Sequence, residues 1–223
     1  MAGDKCHVLN LQNGQADRGL SVDEEWGYLG LSGDYLVGTE VPKGSTRREE
    51  SQEATFTITH KDYVPVQSEF EFNCYSSSKG DKKWIYQSAG GIMHPTITLL
   101  DGAVYFIEGT QLPSRAELYQ VKEYVKSSFL VGIDLSTGKE TFRQPVQSKS
   151  RHNIFMAGSK GRLVLVGTFN INERSPGIHR ASNGILVYEL KCFDINSKNG
   201  FGKKNTCPNS RAVKAMVREI VAQ

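Results

Sequence analysis

Apolar side chains in this chain come in short runs rich in Val, Ile, Leu, Tyr and Phe, and each run stops at Gly, Asp, Asn or Ser. Runs bounded this way predict strands joined by turns. A helical period appears only over residues 209–223, where Val213, Met216, Val217 and Ile220 fall at i, i+3, i+4 and i+7. That spacing predicts one short amphipathic helix at the C-terminal end. The hydrophobic pattern otherwise reads as all-β.

The strands repeat. One half of the repeat is a strand running into a turn: VLNLQNG at 8–14, CYSSSKG at 74–80, GIDLSTG at 132–138 and, two residues longer, CFDINSKNG at 192–200. Aligning Asn10, Ser76, Asp134 and Asp194 sets the units 66, 58 and 60 residues apart. A short polar side chain at this position accepts backbone N–H bonds across the turn, and a Gly four residues on supplies a positive φ. Four residues past that Gly, Trp84 follows Gly80 and Phe142 follows Gly138. A large aromatic at a fixed offset predicts a packing anchor between units. Asp134, Gly138, Phe142, Gly80 and Trp84 are therefore assigned as structural anchors. Arg18 holds the same offset in the first unit, where the aromatic anchor is absent or displaced.

The other half of the repeat is a hairpin. WGYLGLS, HPTITLL and HNIFMAG each precede a Gly turn, and GDYLVGT at 33–39, GAVYFIEGT at 102–110 and GRLVLVGT at 161–168 follow it. A full unit thus has four antiparallel strands, the pattern of a β-propeller blade. The expected fold is a β-propeller of four-stranded antiparallel blades, with about three to four blades present as an incomplete ring. Residues 1–200 are expected to form the blades, and 201–223 a tail holding the short helix.

GIDLSTGKETF at 132–142 resembles the AxDxxTGKxxW signature of the PQQ-like, quinoprotein-type propeller repeat. CYSSSKGDKKWIY at 74–86 looks like a divergent copy with its Trp in place, and HPTITLLDGAVYFIEG at 94–109 like the first two strands of a blade. The resemblance spans about residues 4–200 and implies a six- to eight-bladed ring in a complete domain. It also implies an exported or periplasmic parent protein. The chain is accordingly expected to be a partial propeller, from a truncated or split coding sequence, whose open edges self-associate.

Composition agrees with this reading and narrows the partners. The chain has 22 Gly against 7 Pro, which suits many tight turns. Its net charge is +3, with no Lys/Arg cluster, so a nucleic-acid partner is not expected. No apolar run is long enough to span a bilayer, and MAGDKCHVLNLQNG has neither the basic start nor the apolar core of a signal peptide. Cys6, Cys74, Cys192 and Cys207 form no CxxC or adjacent pair, and their pairing stays open. The alignment places Cys74, Gly132 and Cys192 at one strand position, which favours a small packing residue over a metal ligand.

Two regions are candidates for function. The long stretches 40–62, 111–127 and 169–184 fall at one place in the repeat and should emerge on one face. They carry Arg47, Arg48, Arg115, Arg174 and Arg180 among several glutamates, a surface suited to a protein, small-molecule or saccharide ligand or to plain solvation. The starts of the first strands, expected to line a central channel, carry Trp26, His94 and His152, with Arg151 beside the last. These histidines are open to a structural role or to metal or proton chemistry. The resemblance implies PQQ held between a Trp and a disulfide of adjacent cysteines, with Ca²⁺ on Glu, Asn and Asp. No residue here can be assigned to either cofactor. Nor is there an HExxH, a GxSxG, a P-loop or a GxGxxG in context, so no catalytic residue is identified. The expected function is a non-catalytic binding scaffold using its loop-rich face. The alternative is a fragment of a PQQ-dependent oxidoreductase whose cofactor residues lie elsewhere.

Overall fold

A computed structural model describes residues 4–41, 67–68, 71–110, 127–146, 148, 154–170 and 186–196. Arg47, Arg48, Arg115, Arg151, His152, Arg174, Arg180, Cys207 and the C-terminal helix lie outside them. The described chain is all-β apart from a single 3-10 turn at His94–Thr96.

The strands form four antiparallel sheets in chain order. Sheet one pairs β1 (Lys5–Leu9) with β2 (Ala16–Ser21). Sheet two runs β3 (Glu25–Ser32), β4 (Tyr35–Val41), β6 (Glu71–Ser76) and β7 (Lys82–Gln87), side by side. Sheet three is built on β10 (Ala103–Gly109), β11 (Ser128–Asp134) and β12 (Glu140–Val146). Two short strands, β8 (Ile92–Met93) and β9 (Thr98–Leu100), line the other edge of β10, and β5 (Gln67–Ser68) pairs with β8. Sheet four is β13 (Ile154–Ser159), β14 (Arg162–Asn170) and β15 (Leu186–Asp194).

The hairpins at 33–34, 101–102 and 160–161 are tight because Gly33 in the first and both central residues in the other two take positive φ. Asp101 and Lys160 sit at 49° and 50°, each followed by a Gly at 70° or more, the requirement of a type I′ turn. The third unit departs from the sequence reading. Residues 94–100 form no continuous first strand, because Pro95 has no N–H to give to β10. Thr96 bridges the gap instead: its hydroxyl donates to Met93 O at 2.7 Å and accepts from Ile107 N at 2.9 Å.

Each sheet buries a face against the next. Val37, Phe72 and Cys74 of sheet two meet Val104, Phe106, Val131 and Ile133 of sheet three. Tyr105, Ile107 and Leu130 on the other face meet Ile154, Met156, Leu163, Leu165 and Phe193 of sheet four. Leu20 joins Trp26 and Tyr75 between sheets one and two. The register makes these interfaces equivalent, since Cys74, Gly132 and Cys192 stand opposite Val37, Tyr105 and Val164. Burial pushes the Cys74 thiol up to about 11. It should therefore resist alkylation at neutral pH.

The aligned turns share one hydrogen-bond scheme. Asn10, Ser76 and Asp134 each accept from the Gly four residues on, Gly14, Gly80 and Gly138, at 2.8–2.9 Å. Asp134 Oδ1 also accepts from the N–H and hydroxyl of both Ser136 and Thr137, at 2.6–3.0 Å. Where Ser76 replaces that Asp, the carboxylate comes from the neighbouring hairpin. Asp34 accepts from Ser76 Oγ, Ser77 Oγ and Ser78 N at 2.8–3.0 Å. These donors hold both carboxyls below their ordinary range, led by the Ser136 hydroxyl at Asp134 and by Ser78 at Asp34.

A depressed carboxyl stabilises the fold above its unfolded pKa of about 3.9, and that contribution is lost as pH falls through the folded value. Asp134→Ala is therefore expected to cost about 1 kcal/mol at pH 7, as for other capping side chains. The difference from wild type should shrink as pH falls below about 3.9 in urea unfolding. An undiminished difference there would contradict the assignment.

Between sheets, the residue four past the turn Gly reaches toward the next sheet, and in the first two cases it docks on the next turn. The Arg18 guanidinium donates to Ser77 O and Ser78 O. The Trp84 indole N–H donates to Leu135 O at 2.8 Å, and its ring lies where a Cβ on Gly138 would stand, 2.5 Å from Trp84 Cγ. Phe142 packs into the core shared with Ile195. The sequence leaves Arg18 without an anchoring role; the structure shows a polar substitute docked on backbone carbonyls.

Candidate functional site

In a four-stranded antiparallel sheet the first and third connections lie at one end and the second at the other. Ser77 N donates to Asp34 O, Leu135 N to Gly102 O and Ile195 N to Gly161 O, at 2.8–3.0 Å. These bonds join the two tight connections of each sheet at one end. The connections from β4 to β6, β10 to β11 and β14 to β15 leave from the opposite end, which is the candidate site. The five arginines assigned to them lie outside the described residues.

Two expected channel residues can be placed, and the fold separates them. Trp26 is 4% exposed, in a T-shaped pair with Tyr75 at 5.7 Å and with its N–H directed at Leu20 O, 3.4 Å away. It stands opposite Glu40, on the face of sheet two toward sheet one. His94 is half-buried on the other side, with Nε2 3.0 Å from the buried Thr39 hydroxyl. Thr39 Oγ1 also accepts from Tyr28 N at 3.0 Å. His94 thus ties the start of sheet three to the end of β4. Among the described residues, no group of three or more His, Cys, Asp or Glu side chains is placed to hold a metal ion. No described helix is long and apolar enough to cross a membrane.

The most developed polar cluster at this end was missed by sequence reasoning. Glu108 is fully buried near the end of β10. Its Oε1 accepts from Ser88 Oγ at 2.7 Å, Ala89 N at 2.9 Å and Tyr86 OH at 3.1 Å, all from sheet two and the segment after it. Its Oε2 accepts from Arg143 of β12 at 2.8 Å. Arg143 also holds Glu140, donates to Tyr86 OH at 2.9 Å and lies over the Phe129 ring. Burial and the Glu108 charge push the Tyr86 phenol well above its ordinary range. Hydrogen bonds donated to Glu140 and Glu108 make the Arg143 guanidinium hold its proton more tightly. One guanidinium is shared between the Glu108 and Glu140 carboxylates, and the network fastens sheets two and three. One signal was available: Glu108 ends an otherwise apolar run, and a charge in such a strand demands a partner.

Comparison with known proteins adds only a fold-level likeness. No family model matches the chain, and no curated protein matches it. Among solved structures it is similar to Kuenenia stuttgartiensis hydrazine synthase, with a TM-score of 0.52 and 10% identity. The match covers 86% of this chain and 45% of that one, so this chain spans less than half the length of that neighbour. At this identity the likeness concerns the fold alone.

Proposed function

We propose that the four sheets are successive blades of a PQQ-like β-propeller, and that the chain is a non-catalytic scaffold binding through the end from which the long connections leave. The observation that carries the reading is the asymmetry of the sheets. Among the described residues, the tight turns that join neighbouring strands gather at one end, and the long connections from β4 to β6, β10 to β11 and β14 to β15 leave the other. Such a division is common where a rigid framework presents variable loops. The docking of Arg18 and Trp84 onto the next turn supports the blade reading.

The ligand class is protein or saccharide, because the connections mix Arg with Glu. The test immobilises the protein and screens a saccharide array and candidate partner proteins. A variant with Arg47, Arg48, Arg115, Arg174 and Arg180 all changed to Ser should lose at least tenfold in affinity for a ligand so found. A ligand indifferent to these changes but lost on altering the tight-turn end would overturn the reading. Saturable uptake of PQQ with Ca²⁺ in equilibrium dialysis would favour the oxidoreductase fragment of an exported parent instead.

Self-association belongs to the same reading. Phe155, Tyr188 and Leu190 are exposed on sheet four, on the face whose counterparts in sheets two and three are covered. Leu29 and Leu31 are exposed at the opposite end of the array, on the face of sheet two toward sheet one. Two apolar faces at opposite ends favour head-to-tail contact with a second copy. Light scattering should show a mass above 24.8 kDa that falls to the monomer in a Phe155→Glu/Leu190→Glu variant. A monomer at all concentrations would contradict this.

A further inference from the structure

Counted from the tight turns, Glu40 and Glu108 occupy one position in successive sheets. Tyr35 faces Ser76 across β4 and β6 as Ala103 faces Asp134 across β10 and β11. Both carboxylates therefore rise toward the preceding sheet at the long-connection end. Their surroundings differ at each equivalent place. Arg143, opposite Val131, corresponds to Ile85, opposite Asn73. Tyr86 and Ser88, which donate to Glu108, correspond to Leu20 and Val22 of sheet one. Glu40 keeps Asn73 Nδ2 at 2.7 Å and a backbone N–H of Glu24.

A second observation points to the same spot. Asn73 is fully buried, and its Oδ1 has no hydrogen-bond partner. Flipping the amide would aim oxygen at the Glu40 carboxylate, so the orientation is set. The two acceptors, Glu40 Oε1 and Asn73 Oδ1, lie within about 5 Å of each other by amide geometry. Burial pushes the Glu40 carboxyl up; Lys82 opposes this, while Glu71 and Asp23 add to it. Exposed Ile85 supplies an apolar wall beside them.

We propose that Glu40 and Asn73 form a subsite for a guanidinium group, an arginine side chain of a partner protein taking in sheet two the place Arg143 takes in sheet three. A guanidinium has donors in a fixed fork and no acceptor, which suits a carboxylate oxygen beside an amide oxygen. Lys82 is a point charge whose ammonium lies 5.4 Å from the Tyr75 ring centre, and it cannot present that fork. The subsite does not require the long connections to bind anything, so its failure would leave the scaffold reading standing, and the reverse holds too.

Calorimetry with the full chain and arginine amide tests it, with citrulline amide as the neutral isostere. Arginine amide should bind at least tenfold more tightly than citrulline amide, and Glu40→Gln should remove that preference. Ile85→Arg, a change at an exposed position, should supply the guanidinium internally, abolish binding and raise the melting temperature. It serves as the second arm if Glu40→Gln does not fold. Equal binding of the two amides, no binding up to millimolar concentration, or unchanged binding in Ile85→Arg would overturn the proposal. So would binding that appears only in an Arg47→Ser/Arg48→Ser variant, which would assign the subsite to this chain's own arginines.

Discussion

Truncating Trp84 to alanine is expected to destabilise the fold by about 3–5 kcal/mol, the range for a large aromatic removed from a packed interface. The indole is held on three sides: it stacks on Phe72 at 6.4 Å, donates to Leu135 O and covers Gly138. Its loss would open a cavity between sheets two and three and leave a carbonyl unpaired. Trp84→Phe should recover part of the packing but not the hydrogen bond, placing it between wild type and alanine. Urea unfolding of the three proteins checks the order. A cost below about 1 kcal/mol for the alanine variant would remove Trp84 from its anchoring role.

Arg143→Ala is the second large effect expected, at about 3–5 kcal/mol, because it leaves the buried Glu108 carboxylate without its countercharge. Tyr86, Ser88 and Ala89 still donate to Glu108, which favours the lower end of that range. The cost reflects the unpaired charge more than the worth of the pair. Changing both partners, as Arg143→Met with Glu108→Gln, should therefore recover most of the stability. Failure of the double variant to recover would show that Arg143 acts chiefly through Glu140 and the Phe129 ring.

What could be read from the sequence was local. The Asn10, Ser76 and Asp134 turns were legible because a side chain, a backbone N–H and a Gly within five residues define them. The hairpins were legible because period-two alternation and a turn residue specify register together. The offset from Gly138 to Phe142 pointed to packing between units, since a large aromatic at a fixed place needs a surface to cover. The 3-10 turn at His94–Thr96 was not legible, because the apolar pattern of 94–100 suits a strand and only the hydrogen bonding shows what Pro95 prevents. The partners of Glu108 were hidden for another reason. Arg143 and Tyr86 are distant in sequence, and they meet only once two sheets are stacked face to face. Arg18 was misjudged as a missing anchor because its function is carried by donors to carbonyls, which an aromatic pattern does not reveal. For the long connections, composition spoke of exposure but named no ligand.

The central claim is that each sheet is fastened to the next by a side chain seated on the following turn. A double-mutant cycle between Trp84→Ala and Gly138→Ala, followed by urea unfolding, tests it most directly. Gly138 has a φ of 69°, so alanine there carries a backbone cost of roughly 1–2 kcal/mol in any background. With Trp84 present the new methyl must also displace the indole, and with Trp84 removed it need not. The account predicts that Gly138→Ala costs at least about 1 kcal/mol more in the wild-type chain than in Trp84→Ala. Equal costs in the two backgrounds would mean that the indole does not rest on that turn, and the repeated fastening between sheets would be contradicted.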